Sequence, residues 1–258
     1  MKRRVSFSLP VTVVVLAIIY IYFSTIFVFI DGWFGLMSSP GILNAVVFTA
    51  VAFMSVFSYA VAILMDAGRV PFTFMPDIED SSNPVHEIKR KGGDLRYCQK
   101  CSHFKPPRAH HCRVCKRCVL RMDHHCIWIS NCVGHANYKV FFVFVVYAVI
   151  ACIYSLVISG LLLVPLSVAL GVLLGWHVYL ILQNKTTIEF HEGVRAMWLA
   201  EKEGHVYKHP YDVGTYENLT MVLGPSISCW VCPTSGHIGS GLRFRTAYDA
   251  PFICAAKL

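Results

Sequence analysis

Four stretches of the chain stay apolar for about the 20 residues that a helix needs to cross a bilayer. They run roughly from Val5 to Ile30, Ile42 to Met65, Val140 to Ile158 and Leu161 to Leu182, and none holds an Asp, Glu, Lys or Arg. Each is expected to be a transmembrane helix. The first follows Lys2, Arg3 and Arg4 but is too long for a signal h-region and lacks a small-x-small cleavage site, so it reads as a retained anchor. Turn formers join the first two spans, from Asp31-Gly32 to Ser38-Ser39-Pro40-Gly41. Little more than Ser159-Gly160 separates the last two, which predicts a tight helical hairpin. Asn44 reads as satisfied between helices, Cys152 as packing, and Trp176 and His177 as interfacial anchors.

The polar segments complete a four-part organisation: spans one and two (1–65), a linker and Cys-rich module (66–139), spans three and four (140–182) and a tail (183–258). Pro71, Pro76, Pro84 and Gly92-Gly93 mark residues 66–97 as an irregular linker. In the tail, Phe190, Val194, Met197 and Trp198 recur at helical spacing between Ile188 and Ala200, the pattern of an amphipathic helix lying on a membrane. After Pro225 the tail is rich in Gly and Ser and predicts no element, and no internal repeat stands out.

Composition agrees: 55% of residues are hydrophobic and 15% charged, against about 25% charged in soluble domains. The net charge of +8 matters less than its placement. Three basic residues precede the first span, thirteen lie in 66–139 and seven follow Leu182, while the two remaining loops hold none. Basic loops stay on the cytosolic side, so both termini and the Cys-rich module are expected to face the cytosol. No nucleic-acid partner is expected.

Thiols there stay reduced, so clustered Cys and His read as metal ligands or catalytic groups. Seven of the 11 cysteines fall between 98 and 132, in the order Cys98-x2-Cys101-x9-His111-Cys112-x2-Cys115-x2-Cys118-x4-Asp123-His124-His125-Cys126-x5-Cys132. Two closed zinc sites need eight ligands. The seven Cys, with His103, His110, His111, His124, His125 and His135, supply them with candidates to spare. The module is poor in Gly and Pro, so metal rather than a core is expected to hold it. Spacing alone leaves two readings of Asp123-His124-His125-Cys126. A thiol, a base and an orienting carboxylate stand together, as nucleophilic catalysis requires. Alternatively, both histidines are ligands and Asp123 is an outer-shell acceptor. Cys229-x2-Cys232, with His237 nearby, lacks a fourth ligand and reads as stray or acylated thiols.

On these residues the chain resembles the DHHC protein S-acyltransferases, with a tail like the plant-type members. The resemblance extends to the four-span layout, to Asn131-Cys132-Val133-Gly134 with Asn137-Tyr138-Lys139, and to Thr186-Thr187-Ile188-Glu189. It departs at Asp66-Ala67-Gly68, where the family usually has Asp-Pro-Gly, and in the short 159–160 loop. The resemblance implies an all-α polytopic membrane protein with a two-zinc module between spans two and three. One structural zinc would be held by Cys98, Cys101, His111 and Cys118, the other by Cys112, Cys115, His125 and Cys132. Cys126 would be the nucleophile, His124 its base and Asp123 the group orienting His124. The implied reaction moves a long-chain acyl group from acyl-CoA, through an acyl-enzyme on Cys126, to cysteines of membrane-associated proteins. The implied partners are acyl-CoA, those substrate proteins and the bilayer, in an endomembrane (the Golgi first, the plasma membrane second). Arg108, Arg113, Lys116, Arg117 and Arg121 make the module basic enough to attract the phosphates of CoA. The competing reading is a non-catalytic membrane-anchored zinc adaptor. A RING-type spacing is disfavoured because the module ends on the isolated Cys132.

Overall fold

A computed structural model of the chain describes residues 8–76, 95–159, 164–202, 209–234 and 239–247. Lys2 to Arg4, most of the expected linker (77–94), Gly160 of the expected hairpin and His237 lie outside the described residues.

Among the described residues three helices are long and apolar enough to cross a membrane: α1 (Leu9–Phe34), α2 (Ser39–Leu64) and α3 (Tyr138–Ser159). The apolar α4 (Val164–Leu182) leads into α5 (Thr187–Lys202) through a bend of 73°. A further helix, α6 (Thr215–Leu223), was not expected from the sequence. Proline at the first turn and the Ser38 hydroxyl, which accepts from Gly41 N at 3.0 Å, start α2. Residues Thr25–Ile30 of α1 are wound as a π-helix, and the buried Thr25 hydroxyl meets Ser155 of α3 at 2.6 Å. In α2, Asn44 donates to Pro40 O at 2.8 Å and also meets the Tyr154 hydroxyl of α3, so it is satisfied as expected.

The all-α expectation describes the spans and tail but not the module. There the backbone forms three antiparallel hairpins, β1 (Tyr97–Cys98) with β2 (His103–Phe104), β3 (His110–Cys112) with β4 (Arg117–Val119), and β5 (His124–Cys126) with β6 (Asn131–Val133). Strands of two or three residues are too short to show an alternation in sequence, and a helix would not fold Cys-x2-Cys into a knuckle.

The module is built onto the C-terminal end of α2. Beyond Leu64 the chain turns extended, and Asp66 accepts from Arg117 at 2.7 Å and from Gly68 N at 3.0 Å. Ala67, at the position of the expected proline, is fully buried and its carbonyl accepts from Ala136 N at 3.1 Å. Gly134 permits this approach, since a Cβ there would stand 2.8 Å from Ala67 O and 2.7 Å from Val119. Asn137 then caps the turn into α3, accepting from Gly134 N and donating to Cys132 O, both at 2.9 Å.

Candidate active site and metal centres

In a strand successive side chains point to opposite faces, and this alternation sorts the module's chemistry. On β5, His124 and Cys126 share one face and His125 takes the other, where it stands opposite Cys132. On β3, His111 stands opposite Cys118, while Cys112 faces away with the second group. Two ligand sets result, Cys98-Cys101-His111-Cys118 and Cys112-Cys115-His125-Cys132, each with its donor atoms within 4.8 Å of one another. In the first, His111 Nδ1 lies 3.6 Å from Cys98 Sγ, 3.2 Å from Cys101 Sγ and 4.0 Å from Cys118 Sγ. In the second, His125 Nδ1 lies 3.6, 3.4 and 3.5 Å from the sulfurs of Cys112, Cys115 and Cys132. A tetrahedral zinc with bonds of about 2.3 Å to sulfur and 2.0–2.1 Å to nitrogen puts those donors roughly 3.6 Å apart. Both sets therefore fit zinc with four protein ligands and no open position. Burial, then neighbouring thiols, push Cys118 and Cys132 far above the ordinary thiol range, and a cation relieves that cost.

The two sets are one pattern written twice. Cys-x2-Cys-x9-His-x6-Cys begins at Cys98 and again, offset by 14 residues, at Cys112. A third copy of the hairpin follows at the same offset. Its turn residue Ser130 has positive φ like Ser102 and Lys116 before it, and its first thiol is Cys126. Asp123-His124-His125-Cys126 thus repeats Ala109-His110-His111-Cys112. The sequence did contain an internal repeat, hidden because its two ligand sets interleave. Cys126 stands where each of the first two units has a metal-set thiol, and among the described residues it belongs to neither set. Three spare histidines are explained as well: His103 bonds Phe104 O at 2.8 Å, His135 bonds Gly239 O at 3.2 Å, and His110 is held on β3 opposite Val119.

Around Cys126 the parts converge. Asp123 is fully buried and its Oδ2 meets His124 Nδ1 at 2.6 Å. Thr187, the first residue of α5, donates its amide to Asp123 Oδ1 at 2.8 Å and its hydroxyl to Oδ2 at 3.0 Å. A helix N-terminus favours an anion. Burial works against the Asp123 carboxylate, yet His124 and the Thr187 amide outweigh it and hold the group below its usual range. For His124, burial likewise opposes charge, but the bonds to Asp123 and to the Cys126 thiol raise it to about 9. The His124 ring is edged by Phe141 at 5.6 Å.

The hairpin is fixed from three sides. Asn131 donates to the last carbonyls of α2, Ala62 O at 3.1 Å and Met65 O at 2.8 Å, which a helix end leaves without partners. Tyr59 of α2 donates to Trp128 O at 2.7 Å. Thr186 and Glu189 form a reciprocal capping box on α5, with Thr186 N to Glu189 Oε2 at 2.9 Å and Glu189 N to Thr186 Oγ1 at 3.2 Å. The two oxygens of the same Glu189 accept from one edge of the buried Arg108 guanidinium, from Nε at 2.6 Å and Nη2 at 2.8 Å. Cys126 opens onto a cavity of about 670 Å³ between α1, α2, α3 and α4, walled by Ile18, Phe48, Ala52, Phe144 and Leu170.

The DHHC palmitoyltransferase family model matches residues 91–167. "Probable protein S-acyltransferase 16" of Arabidopsis thaliana is 69% identical over 97% of both chains. "Probable protein S-acyltransferase 15" of the same plant is 46% identical over 90% of this chain and 99% of its own. "Palmitoyltransferase ZDHHC2" of Homo sapiens is 31% identical over 63% of this chain and 49% of its own. This chain belongs to the DHHC palmitoyltransferase family.

For this DHHC palmitoyltransferase the sequence misread one residue and missed others. His177 is no interfacial anchor: it is 2% exposed, bonds the Tyr138 hydroxyl at 3.0 Å, and lies 6.1 Å, ring to ring, from His124. Cys152 is buried but also lines the cavity. Of the five cations expected to draw CoA, Arg108, Arg117 and Arg121 are engaged by Glu189, Asp66 and Asn184, which leaves Arg113 and Lys116 exposed. Asn218 of α6, fully buried, donates to Leu182 O at 2.7 Å and fastens the tail to the end of α4. Gly214 and Gly224 flanking a short apolar stretch were the available signal for α6.

Proposed function

We propose that the chain is a protein S-acyltransferase that carries a long-chain acyl group on Cys126. One observation carries this reading: among the described residues of the module, Cys126 is the thiol outside both zinc sets, and it faces the Asp123-anchored His124 at the mouth of an apolar cavity. With Nδ1 of His124 held by Asp123, Nε2 is left to take the Cys126 proton. The sulfur then attacks the thioester carbonyl of acyl-CoA, the carbon–sulfur bond to CoA breaks, and the CoA thiolate leaves with the proton that His124 returns. A cysteine thiol of a membrane-associated protein repeats the exchange, its proton passing to His124 and back to Cys126. Each buried methylene contributes about 0.8 kcal/mol, so the cavity favours a long chain. Zinc ions held by the two Cys3His sets would scaffold β5, with four protein ligands each.

Topology follows the same reading. With α4 as a fourth span, bent at its end into α5, both termini and the module lie on the basic, cytosolic side. The exposed Arg113 and Lys116 then attract CoA, and a Golgi or related endomembrane supplies the bilayer. The purified full chain, incubated with labelled palmitoyl-CoA, is expected to take up hydroxylamine-sensitive label. Cys126→Ser should abolish it and His124→Ala should cut its rate sharply. A zinc-replete, folded wild type that takes no label points to the non-catalytic adaptor instead.

A further inference from the structure

We propose that a cleft of about 280 Å³ on the far side of Tyr138 from the catalytic histidine binds a phosphate ester. Arg121, Lys139, Arg243 and Arg245 line it, with Asn184 and Thr220 as hydrogen-bonding groups and, among the described residues, no Asp or Glu in its wall. Two of these cations are buried with, among the described residues, no carboxylate bonded to them. Lys139, the second residue of α3, is 2% exposed, and the titratable groups facing it are the thiols of Cys229 and Cys232. Arg121 is 6% exposed and meets neutral partners, Asn184 Oδ1 at 3.4 Å and the Tyr138 ring at 5.1 Å. Burial, and the neighbouring Arg108, push Arg121 down to about 10 against the pull of Glu189 and Asp123, carboxylates that are already bonded, Glu189 twice to Arg108 and Asp123 to His124 and Thr187. Burying a cation without its counter-charge costs several kcal/mol, so the fold holds a place where an anion repays it. Guanidinium groups favour phosphate oxygens in particular.

The cleft is a built feature. Residues 239–247 strap across the module to form its outer wall: His135 bonds Gly239 O at 3.2 Å, Leu242 packs beside Val70 and Leu120, and Ala247 N donates to Pro210 O at 2.7 Å. Gly241 sits at φ +69 with His135 so close that a Cβ would fall 2.4 Å from its ring. Arg243 and Arg245 of this strap stand exposed at the rim, Arg245 leaning on Glu217 at 3.8 Å. Because Lys139 begins α3, the cleft opens where a membrane-spanning helix meets the module. Both a lipid headgroup and a soluble phosphate ester can reach it there. Tyr138 links it inward: its ring faces Arg121 and its hydroxyl bonds His177 beside His124.

The test is a binding measurement, independent of acyl transfer. The full chain in detergent is titrated with adenosine 3′,5′-bisphosphate, with chloride at matched ionic strength as the control. The same chain in nanodiscs of phosphatidylcholine, with or without a phosphoinositide, is followed by thermal unfolding. Saturable stabilisation by the nucleotide assigns the cleft to soluble phosphate esters; stabilisation by the phosphoinositide alone assigns it to the lipid. In either arm Lys139→Met is expected to weaken the response roughly tenfold or more. Arg243→Gln with Arg245→Gln, on the exposed rim and safe for folding, should do the same if the buried substitution fails to fold. A response equal to chloride in both arms, or one that the rim substitutions leave unchanged, overturns the proposal.

Discussion

Asp123 is the residue on which the site turns, because it joins three elements through one carboxylate. It binds His124 of its own hairpin and both the amide and the hydroxyl of Thr187 from α5. Asp123→Asn keeps the volume but removes the charge that fixes the His124 tautomer, so acyl-enzyme formation is expected to slow by roughly 100-fold or more. Zinc content should stay at two per chain, which separates an orienting loss from a folding one. Thr187→Val removes one hydroxyl bond to a charged acceptor, worth about 1.5–3 kcal/mol, and should slow the same step roughly 10- to 100-fold, with Thr187→Ser restoring it. Rapid-quench labelling with palmitoyl-CoA measures both. Asp123, His124 and Cys126 are neighbours in one short run, so the sequence put them side by side, but spacing alone left open whether the histidines were base or ligand, and the family resemblance supplied the roles. Thr187 was legible only as part of a motif, since its meaning depends on a contact 64 residues away. His177 was misread because a histidine near a span end looks interfacial until the fold turns it inward.

At the scale of elements, the interleaving of the two metal sets makes the hairpins interdependent. β3 gives His111 to one ligand set and Cys112 to the other, and β5 gives His125 to the second set and, on the proposed function, His124 with Cys126 to the reaction. His125→Ala is therefore expected to lower bound zinc from two to one per chain and to abolish acylation with Cys126 still in place; elemental analysis beside a labelling assay checks this. The Arg108–Glu189 pair locks the module to α5 in the same way. Burial disfavours the Glu189 carboxylate, but Arg108 and the Thr186 amide more than offset it and hold the group below its usual range. A depressed folded value means the stabilisation is fully present above the ordinary carboxylate pKa and is lost as pH falls through the lower, folded one. Glu189→Gln at neutral pH removes the carboxylate bonded to the buried Arg108, at a cost of about 3–5 kcal/mol. Thermal unfolding across the acid range should show the wild type losing stability where the variant, already lacking that charge, changes less. Apolar runs announced α1, α2 and α3 to within a few residues, since lipid imposes their length. The strands went unread because two or three residues carry no period, and metal rather than hydrophobicity sets their register.

The whole molecule places the Cys126 sulfur between a polar module and an apolar cavity. Above Cys126 lie the metal-held hairpins and exposed cations; below it lies an apolar cavity whose walls come from four helices distant in sequence. No single span encodes that cavity. It exists because α2 packs against α3 and α3 against α4, while Asn131 and Tyr59 tie the catalytic hairpin to the end of α2. Depth along α2 therefore translates into length of acyl chain. Ala52 stands 12 residues before Leu64, which at 1.5 Å per residue is about 18 Å below the hairpin's anchorage. Ala52 is 8% exposed and forms part of the wall, so Ala52→Phe would fill the lower cavity without touching Cys126, His124 or either zinc set. Each methylene refused a place there forfeits about 0.8 kcal/mol, and two forfeit roughly tenfold in yield. The variant is expected to lose acyl-enzyme formation with palmitoyl-CoA by about that factor or more, while a shorter acyl-CoA such as decanoyl-CoA stays within about twofold of wild type, competition labelling giving the ratio directly. Equal losses with both donors would mean that the chain lies elsewhere than in this cavity.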